Sequence, residues 1–469
     1  MLHCTLTITQ NRVRKPAFYA RVHEVQSRLA MHDLALRFLE TLHQTQYLSP
    51  QDMALYQQRL LERLCRHAAL ETEFYRERLR PLFEGGDAGH GAFRMANWAQ
   101  LPLFDRAIAQ ACQPQLLARR VPEAVGASRA GSTSGSSGRP LQFRTSAHAD
   151  VAGLANTARL FENHGLDGTS SLGWIKSDRD NDCSPPLGGV HKGWSLTGAG
   201  GMQYTLAANS TIDHCIQWLH LRRPAYLFTY PSIAMAIARQ LRRMGENDIG
   251  LNAVITSGEN VDDDMAGLMQ SVFGARHIDL YGTLEIGPIA TQCITGTHKH
   301  CAEESVYTEI LREDGTPAKP GEAGRVVVTP LYNYAMPMIR YDIGDFAVQG
   351  GHDCPCGSRL MRIEKVLGRS RNIFRFRDGS QRHPRGFSDI LNYLAFTQIQ
   401  IVQTSLDHVE VRYVADPARN ARDEAAVTAF LRQTLHGDIG VSLVEVNALP
   451  RSASGKFEDF LSLVPAESR

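Results

Sequence analysis

The 469-residue sequence lacks the features that mark membrane, secreted or nucleic-acid-binding proteins. Its 50 Lys and Arg residues nearly balance 49 Asp and Glu residues, so the net charge of +1 implies no anionic polymer or membrane as partner. No apolar run approaches the roughly 20 residues of a membrane span. The segment Met1–Pro16 has no apolar core of signal-peptide length. We therefore expect a cytoplasmic protein that binds neither nucleic acid nor membrane.

Cysteine is present, but we expect no disulfide framework, because the nine cysteines of a cytosolic chain stay reduced. Five of them are scattered and are typical of small buried hydrophobic residues: Cys4, Cys65, Cys112, Cys183 and Cys215. The other four lie in two polar, glycine-containing segments: Cys293, Cys301, Cys354 and Cys356. Three histidines, His298, His300 and His352, are close to them in the sequence. This second group is a candidate metal site.

A Gly/Ser loop is the most informative stretch of the chain. Residues 131–140 read Gly-Ser-Thr-Ser-Gly-Ser-Ser-Gly-Arg-Pro. With so little side-chain bulk, such a loop can wrap backbone N–H groups around a polyphosphate, and its hydroxyls add donors. The Walker A spacing is absent. A flexible linker is the alternative interpretation.

The hydrophobic pattern predicts an α/β protein. Residues about 30–80 have helical periodicity. Residues about 85–365 alternate β-rich runs with helical runs, as in Tyr226–Tyr230, 233–243 and 253–256, which is typical of parallel sheets covered by helices. We predict a large N-terminal domain over residues 1–367, with helix-covered, mainly parallel sheets. A small, mobile α+β lid domain is predicted over residues 368–469.

Six motifs occur in the order found in a known enzyme superfamily. They are the loop 131–140, Ser257-Gly-Glu259, Tyr281-Gly-Thr-Leu-Glu285, Arg340-Tyr-Asp-Ile-Gly-Asp345, Gly368-Arg369 and Ser454-Gly-Lys456. Together they resemble the adenylate-forming superfamily of acyl-CoA synthetases, peptide-synthetase adenylation domains and luciferase. Three further segments are similar to its phenylacetate–CoA ligase branch: Phe74-Tyr75-Arg76, Pro337-Met-Ile-Arg340-Tyr341 and Cys354-Pro-Cys356-Gly357. The resemblance covers roughly residues 50–460.

The resemblance implies an ATP-dependent, AMP-forming carboxylate ligase, whose chemistry depends on positioned charge. Glu285 matches the Mg²⁺-binding glutamate, and Asp345 matches the aspartate that accepts hydrogen bonds from both ribose hydroxyls. Tyr281 would lie against the adenine, and Arg369 would approach the ribose and phosphate. The remaining implied ATP- or AMP-binding residues are Ser132, Thr133, Ser134, Gly135, Ser136, Ser137, Gly138, Arg139, Ser257, Gly258, Glu259, Gly282 and Thr283. Arg139 stands where the superfamily usually has lysine, so the charge is kept but the donor geometry changes.

Lys456 matches the catalytic lysine of the superfamily. A cation on a C-terminal loop can reach the α-phosphate and the attacking carboxylate, where negative charge accumulates. A solvated surface lysine is the alternative. Such a lysine implies a lid that moves it in and out of the site. The hinge position of the superfamily falls at Arg371.

The clustered cysteines indicate a structural zinc site. Cys354, Cys356, Cys293 and a histidine would form a Cys₃His set, which suits tetrahedral Zn²⁺. In similar sequences with this insertion, a cysteine is followed seven positions later by a histidine, which points to His300. His298 and Cys301 are competing ligands, and reduced surface thiols are the alternative to a metal site.

The acyl pocket of this branch is implied at His191, Trp194, Phe228 and Tyr230. Together with Ser257 and Gly282, these residues could line a flat slot for an aryl or short hydrophobic acid. A role in the core fits Trp194 and Phe228 equally well.

The expected partners are a small-molecule carboxylic acid, ATP with Mg²⁺, and CoA as acceptor; a homodimer is left open. An amide ligase of secondary metabolism, which transfers the acyl group to an amine or amino acid, is the alternative. A nucleotide-binding protein without catalysis is a third reading, and the presence of both Glu285 and Lys456 argues against it. The arginines that could meet the CoA 3′-phosphate are Arg371, Arg375, Arg377, Arg382 and Arg385.

Overall fold

The structure is a computed structural model. It describes residues 31–133, 140–177, 183–197, 200–246, 249–369, 372–382, 384, 390, 392–417, 419, 421–449, 451–452 and 455–464. The described helices are α1 (31–45), α2 (Pro50–Glu71), α3 (Tyr75–Arg78), α4 (Arg106–Ala111), α5 (Gln113–Leu116), α6 (Ala147–Asn163), α7 (Ile212–Arg222), α8 (Pro231–Met244), α9 (Asp263–Phe273) and α10 (Glu424–Thr434). Short 3₁₀ turns lie at Arg80–Leu82, Glu84–Gly86, Met95–Gln100 and Glu123–Val125. Among these described helices, none is long and apolar enough to cross a membrane.

The strands form one large sheet, one small sheet and two hairpins. They are β1 (Ser128–Ser132), β2 (Gln142–Ser146), β3 (Leu172–Lys176), β4 (Gly189–Lys192), β5 (Met202–Ala207), β6 (Tyr226–Thr229), β7 (Ala253–Ser257), β8 (Arg276–Thr283), β9 (Gly287–Gln292), β10 (Lys299–Cys301), β11 (Val306–Leu311), β12 (Ala323–Pro330), β13 (Tyr341–Gln349), β14 (Arg362–Arg369), β15 (Phe374–Arg375), β16 (Gln381–Arg382), β17 (Phe396–Ser405), β18 (His408–Ala415), β19 (Gly440–Glu445) and β20 (Phe460–Ser462).

The large sheet has twelve strands in the order β11-β12-β13-β14-β10-β9-β8-β7-β6-β3-β5-β4. The five strands β5, β3, β6, β7 and β8 are parallel, while the pairs from β8·β9 to β11·β12 and the edge pair β4·β5 are antiparallel. The parallel strands are joined by α7, α8 and α9, because parallel neighbours require a crossover connection. This arrangement confirms the predicted α/β class. The antiparallel strands continue the same sheet beyond its parallel part.

The N-terminal helices are anchored to the large sheet. Helix α2 begins after Ser49, whose hydroxyl accepts a hydrogen bond from the Asp52 N–H at 3.1 Å, and it buries Leu61, Leu64 and other apolar residues on one face. Arg159 of α6 donates to Glu304 at 2.6 Å, and both side chains are buried. Arg159 also donates to the Leu42 carbonyl of α1 at 3.2 Å. A buried charge pair with further hydrogen bonds fixes the relative position of the elements it joins.

The C-terminal unit has its own sheet and core. Strands β19-β18-β17-β20 form a four-stranded sheet with α10 on it. Its buried cluster includes Phe374, Ile401, Val411 and Leu431, and it is separate from the clusters of the large sheet. The predicted boundary at 367/368 stays a prediction.

Candidate active site

A cavity of about 980 Å³ lies where the parallel strands end. Lys176, Thr229, Ser257 and Thr283 are the last residues of β3, β6, β7 and β8, and all four line it. The carboxyl ends of parallel strands meet at one edge of a sheet, where loops leave room for ligands. The C-terminal unit contributes Lys456 to the wall of this cavity.

Asp345, Tyr281 and Arg369 meet, although Tyr281 is on β8, which β9 and β10 separate from β14 in the large sheet. The Tyr281 hydroxyl donates to Asp345 at 2.9 Å, and the Arg369 Nε lies 3.7 Å from the other Asp345 oxygen. Asp345 of β13 is directly opposite Arg369 of β14 in the ladder. Burial, followed by the Asp345 charge, raises the pKa of the Tyr281 hydroxyl well above its usual value. The structure thus brings together the three residues predicted to bind adenine, ribose and phosphate.

Glu285 follows β8 and is buried. The Tyr341 hydroxyl lies 3.5 Å from its Oε1 atom. Its neighbours Leu284 and Ile286 line the cavity, whereas Glu285 is not among the lining residues. Its carboxylate offers the oxygen ligands that Mg²⁺ prefers.

Only the two ends of the Gly/Ser loop belong to the described residues. Strands β1 and β2 pair antiparallel and bring Ser132 opposite Gln142. Thr133 accepts hydrogen bonds from Arg106 at 2.6 Å and from the Leu141 N–H at 2.9 Å. The predicted contacts of Ser134, Gly135, Ser136, Ser137, Gly138 and Arg139 lie outside the described residues, and so does the predicted hinge residue Arg371.

Lys456 packs against the turn formed by Ser257, Gly258 and Glu259. Its ammonium donates to the Gly258 carbonyl at 2.9 Å and lies 5.4 Å from the ring centre of Tyr230. Gly258 has φ +83°, a conformation that favours glycine, and a Cβ atom there would lie 3.0 Å from the lysine nitrogen and press on the Lys456 side chain. Burial lowers the pKa of Lys456, and so does the nearby charge of Arg369.

Three carboxylates oppose this lowering of the Lys456 pKa: Glu259, Glu285 and Asp345. The catalytic lysine predicted from the C-terminal loop and the acidic residues predicted from the large sheet are therefore near neighbours. Lys456 is more than 100 positions from each of these carboxylates in the sequence, and the packing of the two units brings them together.

Glu259 was expected to bind the nucleotide, but the hydrogen-bond partners that the structure gives it are protein groups. Its carboxylate accepts hydrogen bonds from the Ser232 N–H at 2.8 Å, the Ser232 hydroxyl at 3.0 Å and the Phe457 N–H at 2.9 Å. It therefore joins α8 to the segment that carries Lys456. Its predicted contact with the nucleotide stays a prediction, and its observed partners belong to the protein.

Aromatic side chains form the apolar wall of the cavity. Trp194, Phe228 and Tyr230 line it, together with Gly282 and Ser257. Their role in binding an acid stays a prediction. Trp194 also donates to the Ser170 carbonyl at 2.7 Å and packs against Phe161 and Tyr226, so it has a core role as well. His191 is not among the residues that line the cavity: it is exposed on the edge strand β4.

Trp174 and Lys176 were missed by the sequence interpretation. The Trp174 ring stacks on Phe228 with ring centres 5.4 Å apart and an interplanar angle of 6°. The Lys176 ammonium lies 5.3 Å from the Trp174 ring centre, a cation–π geometry. Both line the cavity. The signal available was their position at the carboxyl end of a parallel strand.

A group of metal-ligand side chains lies away from this cavity, between the β9–β10 turn and the β13–β14 loop. Ligand atoms of Cys293, His298, His300 and Cys354 all lie within 4.8 Å of one another. The Cys293 and Cys354 sulfurs are 3.6 Å apart, and His298 is 3.1 Å from Cys354. Burial lowers the pKa of His300 to about 4, which keeps the imidazole neutral, as a metal ligand must be.

Cys356 is the fifth candidate ligand, since its sulfur lies 3.3 Å from the Nε2 atom of His300. Of the two competitors, His298 joins the group, whereas Cys301 is fully buried in the main core with Ile289 and Ile363. The structure therefore brings together all four predicted ligands and adds His298. Thiolates and imidazoles within this distance suit Zn²⁺.

Comparisons with known proteins relate the chain to CoA ligases. No family model matches. A phenylacetate-coenzyme A ligase of Thermus thermophilus is 25% identical over 225 residues, 46% of this chain and 48% of that protein. One of Pseudomonas putida is 30% identical over 162 residues, 33% of this chain and 36% of that protein. The chain thus spans about half the length of the curated relatives it matches, or less.

The fold is shared over nearly the whole chain. A 2-hydroxyisobutyryl-CoA ligase in the postadenylation state has a TM-score of 0.69 at 20% identity, and the match covers 90% of this chain and 91% of that chain. The same ligase in the thioesterification state, with an acyl-AMP and CoA, has a TM-score of 0.58 and covers 89% and 91%. These similarities confirm the resemblance derived from the six motifs.

Proposed function

We propose, from the premise that this chain is a phenylacetate–CoA ligase-like member of the adenylate-forming superfamily, that it activates a carboxylic acid with ATP and transfers the acyl group to CoA. In the first step a carboxylate oxygen attacks the α-phosphorus, and the bond to pyrophosphate breaks. In the second step the CoA sulfur attacks the acyl carbonyl, and AMP leaves. The single observation that carries the proposal is that Lys456 of the C-terminal unit lines the cavity at the carboxyl edge of the parallel strands and bonds the Gly258 carbonyl there at 2.9 Å.

The residues would divide the work of the first step. Lys456 supplies positive charge where the carboxylate and the α-phosphate approach each other, and a preorganised charge of this kind stabilises the transition state. Asp345 would accept hydrogen bonds from the ribose. Glu285 would hold Mg²⁺, whose charge would neutralise the phosphates. The higher TM-score with the postadenylation state than with the thioesterification state supports a C-terminal unit placed for this first step.

The wall of the cavity favours an aryl or short hydrophobic acid. The stacked Trp174 and Phe228 rings offer a flat apolar surface, and flat rings stack on such surfaces with favourable offset geometry. The Lys176 ammonium beside these rings would favour an acid that carries an electron-rich substituent or a hydrogen-bond acceptor.

Carboxylate-dependent pyrophosphate exchange tests this proposal. Purified protein with Mg²⁺-ATP is incubated with radiolabelled pyrophosphate and a panel of aryl and alkyl acids. We expect exchange to depend on the acid and to be strongest for aryl acids. Absence of exchange across the panel would contradict catalysis and favour a protein that only binds nucleotide.

The acceptor is tested by the second half-reaction. CoA should accelerate release of AMP from the acyl-AMP complex. Replacing Arg375 and Arg382 together with alanine should raise the KM for CoA a few-fold and leave pyrophosphate exchange unchanged, because exchange precedes thioester formation. Arg412→Ala is the control, since Arg412 is paired with Glu410 at 2.7 Å. Acceleration by an amine or amino acid instead of CoA would favour the amide ligase.

We further propose that the group of Cys293, His298, His300, Cys354 and Cys356 binds one structural zinc ion. Four of these ligands would complete a tetrahedral shell and leave no open position for catalysis. Cys354→Ser should release zinc and lower the melting temperature without altering ATP affinity. Elemental analysis of the wild type and of the control Cys112→Ser should both give one zinc per chain; a wild type without zinc would contradict the site.

A cytoplasmic location and the possibility of a homodimer stay predictions.

A further inference from the structure

A set of side-chain hydrogen bonds holds the Lys456 segment against the large sheet. Ser232 lies in the first turn of α8 and is bonded to Glu259 through both its N–H and its hydroxyl. Arg451, from the C-terminal unit, donates to the Ser232 hydroxyl at 2.7 Å and to the Ser232 carbonyl at 3.2 Å. We call Ser232, Glu259 and Arg451 the clasp.

The clasp also shapes the loop that carries the lysine. Arg451 donates to the Gly455 carbonyl at 3.0 Å, and Glu259 accepts the N–H of Phe457 at 2.9 Å. The residues on both sides of Lys456 are thus fixed by clasp members. The lysine side chain in turn reaches Gly258, the residue before Glu259.

The acceptor capacity of Glu259 is largely used within the clasp. A carboxylate has about four acceptor positions, and three of them take the Ser232 N–H, the Ser232 hydroxyl and the Phe457 N–H. Burial raises the pKa of Glu259, while the hydrogen bonds from Ser232 and Phe457 and the charge of Arg451 oppose that rise. Hydrogen bonds that involve a charged group are stronger than neutral ones.

We propose that Glu259, Ser232 and Arg451 are positioning residues that hold Lys456 in the site during adenylation and separate before thioester formation. This rests on the proposed function, because it assigns the clasp to the first of its two half-reactions. Glu259, whose motif implied contact with the nucleotide, acts through Lys456 instead.

The two half-reactions distinguish positioning from general stabilisation. Arg451→Gln should lower pyrophosphate exchange by about 10- to 100-fold, the size expected for loss of charged hydrogen bonds. CoA-dependent consumption of synthetic acyl-AMP should be unchanged or faster. Arg451→Lys should recover part of the exchange. The matched control is Arg432→Gln, because Arg432 bonds the Ile439 carbonyl within the C-terminal unit, and it should leave both half-reactions unchanged.

A double-mutant cycle adds a sharper criterion. If Arg451 acts by positioning Lys456, Arg451→Gln should cause little further loss of exchange in a Lys456→Ala background, because coupled residues are not additive. Additive losses, or equal losses in the two half-reactions of the single variant, would overturn the proposal. Glu259→Gln should behave in the same way as Arg451→Gln.

Hydrogen exchange tests the clasp without any activity. In Arg451→Gln, the amides of residues 455–457 should exchange faster, while those of α10 should not change. Unaltered exchange at 455–457 would overturn the clasp even in an active enzyme. If the wild type shows no pyrophosphate exchange but these amides respond as expected, the proposed function has failed and the clasp has not.

Discussion

The two sides of the candidate active site are held by different kinds of bonds. Tyr281 and Asp345 lie on strands of the large sheet, where Tyr281 pairs with Ala290 of β9 and Asp345 pairs with Arg369 of β14. Lys456 lies in a loop between β19 and β20 and is held by a few side-chain hydrogen bonds to the other unit. Moving a strand residue would break the ladder, whereas releasing the loop costs a small number of hydrogen bonds of about 1 kcal/mol each.

This difference indicates how a single site can serve two steps. In the proposed function, Tyr281, Asp345 and Arg369 would stay in place because they are part of the sheet. Lys456, which that proposal assigns to the first step, would be released by breaking its few side-chain hydrogen bonds. A movable catalytic group is typical of enzymes in which closure completes the site. Three predictions test whether the two sides behave in these separate ways.

The largest effect is expected for Lys456→Ala. Pyrophosphate exchange should fall by about 10²- to 10³-fold, the usual size for one charge-stabilising donor. ATP affinity, measured by calorimetry, should survive, because the residues expected to contact the ribose and the phosphates belong to the predicted N-terminal domain and not to the unit that carries Lys456. The control is Lys365→Ala, since Lys365 pairs with Asp263 on the surface. Unchanged turnover in Lys456→Ala would refute the role given to this lysine.

A smaller effect is expected for Asp345→Asn, and it should appear in ATP binding, which Lys456→Ala should leave intact. Loss of the charged acceptor should weaken ATP binding by about tenfold or more. It should also leave the Tyr281 hydroxyl with a weaker partner. Calorimetric titration with ATP measures this change. The comparison between the two sides would break down if Asp345→Asn and Lys456→Ala weakened ATP binding to the same extent.

The smallest effect concerns Asp459, which lies at the contact between the two units. Burial, followed by the charge of Glu259, raises its pKa to about 7, while Arg239 opposes this; Asp262 raises it further and Arg451 lowers it. Because the folded protein binds this proton more tightly than the unfolded chain, the stabilisation is present at low pH and is lost as the pH rises through about 7. Asp459→Asn should therefore be more stable than the wild type at pH 8.5.

At about pH 3.5 the two proteins should have nearly equal melting temperatures, since the carboxyl is then mostly neutral in both the folded and the unfolded wild type. Although burial is the main cause of the raised pKa, the Asp459 side chain is partly exposed, so solvent screening should reduce the difference in melting temperature. Thermal unfolding at both pH values measures it. An equal difference at the two pH values would show that the Asp459 proton is not involved.

Local sequence patterns predicted the parallel half of the large sheet closely. The expected strand at 253–256 is β7 (Ala253–Ser257), and the expected helix at 233–243 lies within α8 (Pro231–Met244). Strands buried on both faces read as continuous apolar runs, which are visible in a single sequence. The antiparallel half was largely invisible, because strands such as β10 and β13 are short or partly polar and owe their place to pairing with distant strands.

For the site, motifs predicted which residues are involved better than what they contact. The motif that contains Glu259 implied the nucleotide, but this residue bonds Ser232 of α8 within its own unit and Phe457 across the contact between the two units. Spacing alone could not decide whether His298 or His300 is the metal ligand. The structure places His298 near Cys354 and His300 near Cys356. Trp174 and Lys176 belong to no motif.

The sequence by itself determined the fold class, the order of the six motifs and the identity of the charged groups, because hydrophobic periodicity and motif spacing are local properties. Only the tertiary structure decided which of these groups meet. Gly258 and Lys456, for example, are in contact although they are 198 positions apart in the chain. Such contacts cannot be read from the sequence. They arise because the carboxyl ends of the parallel strands form one edge and the C-terminal unit packs against it, which depends on the free energy of the whole fold.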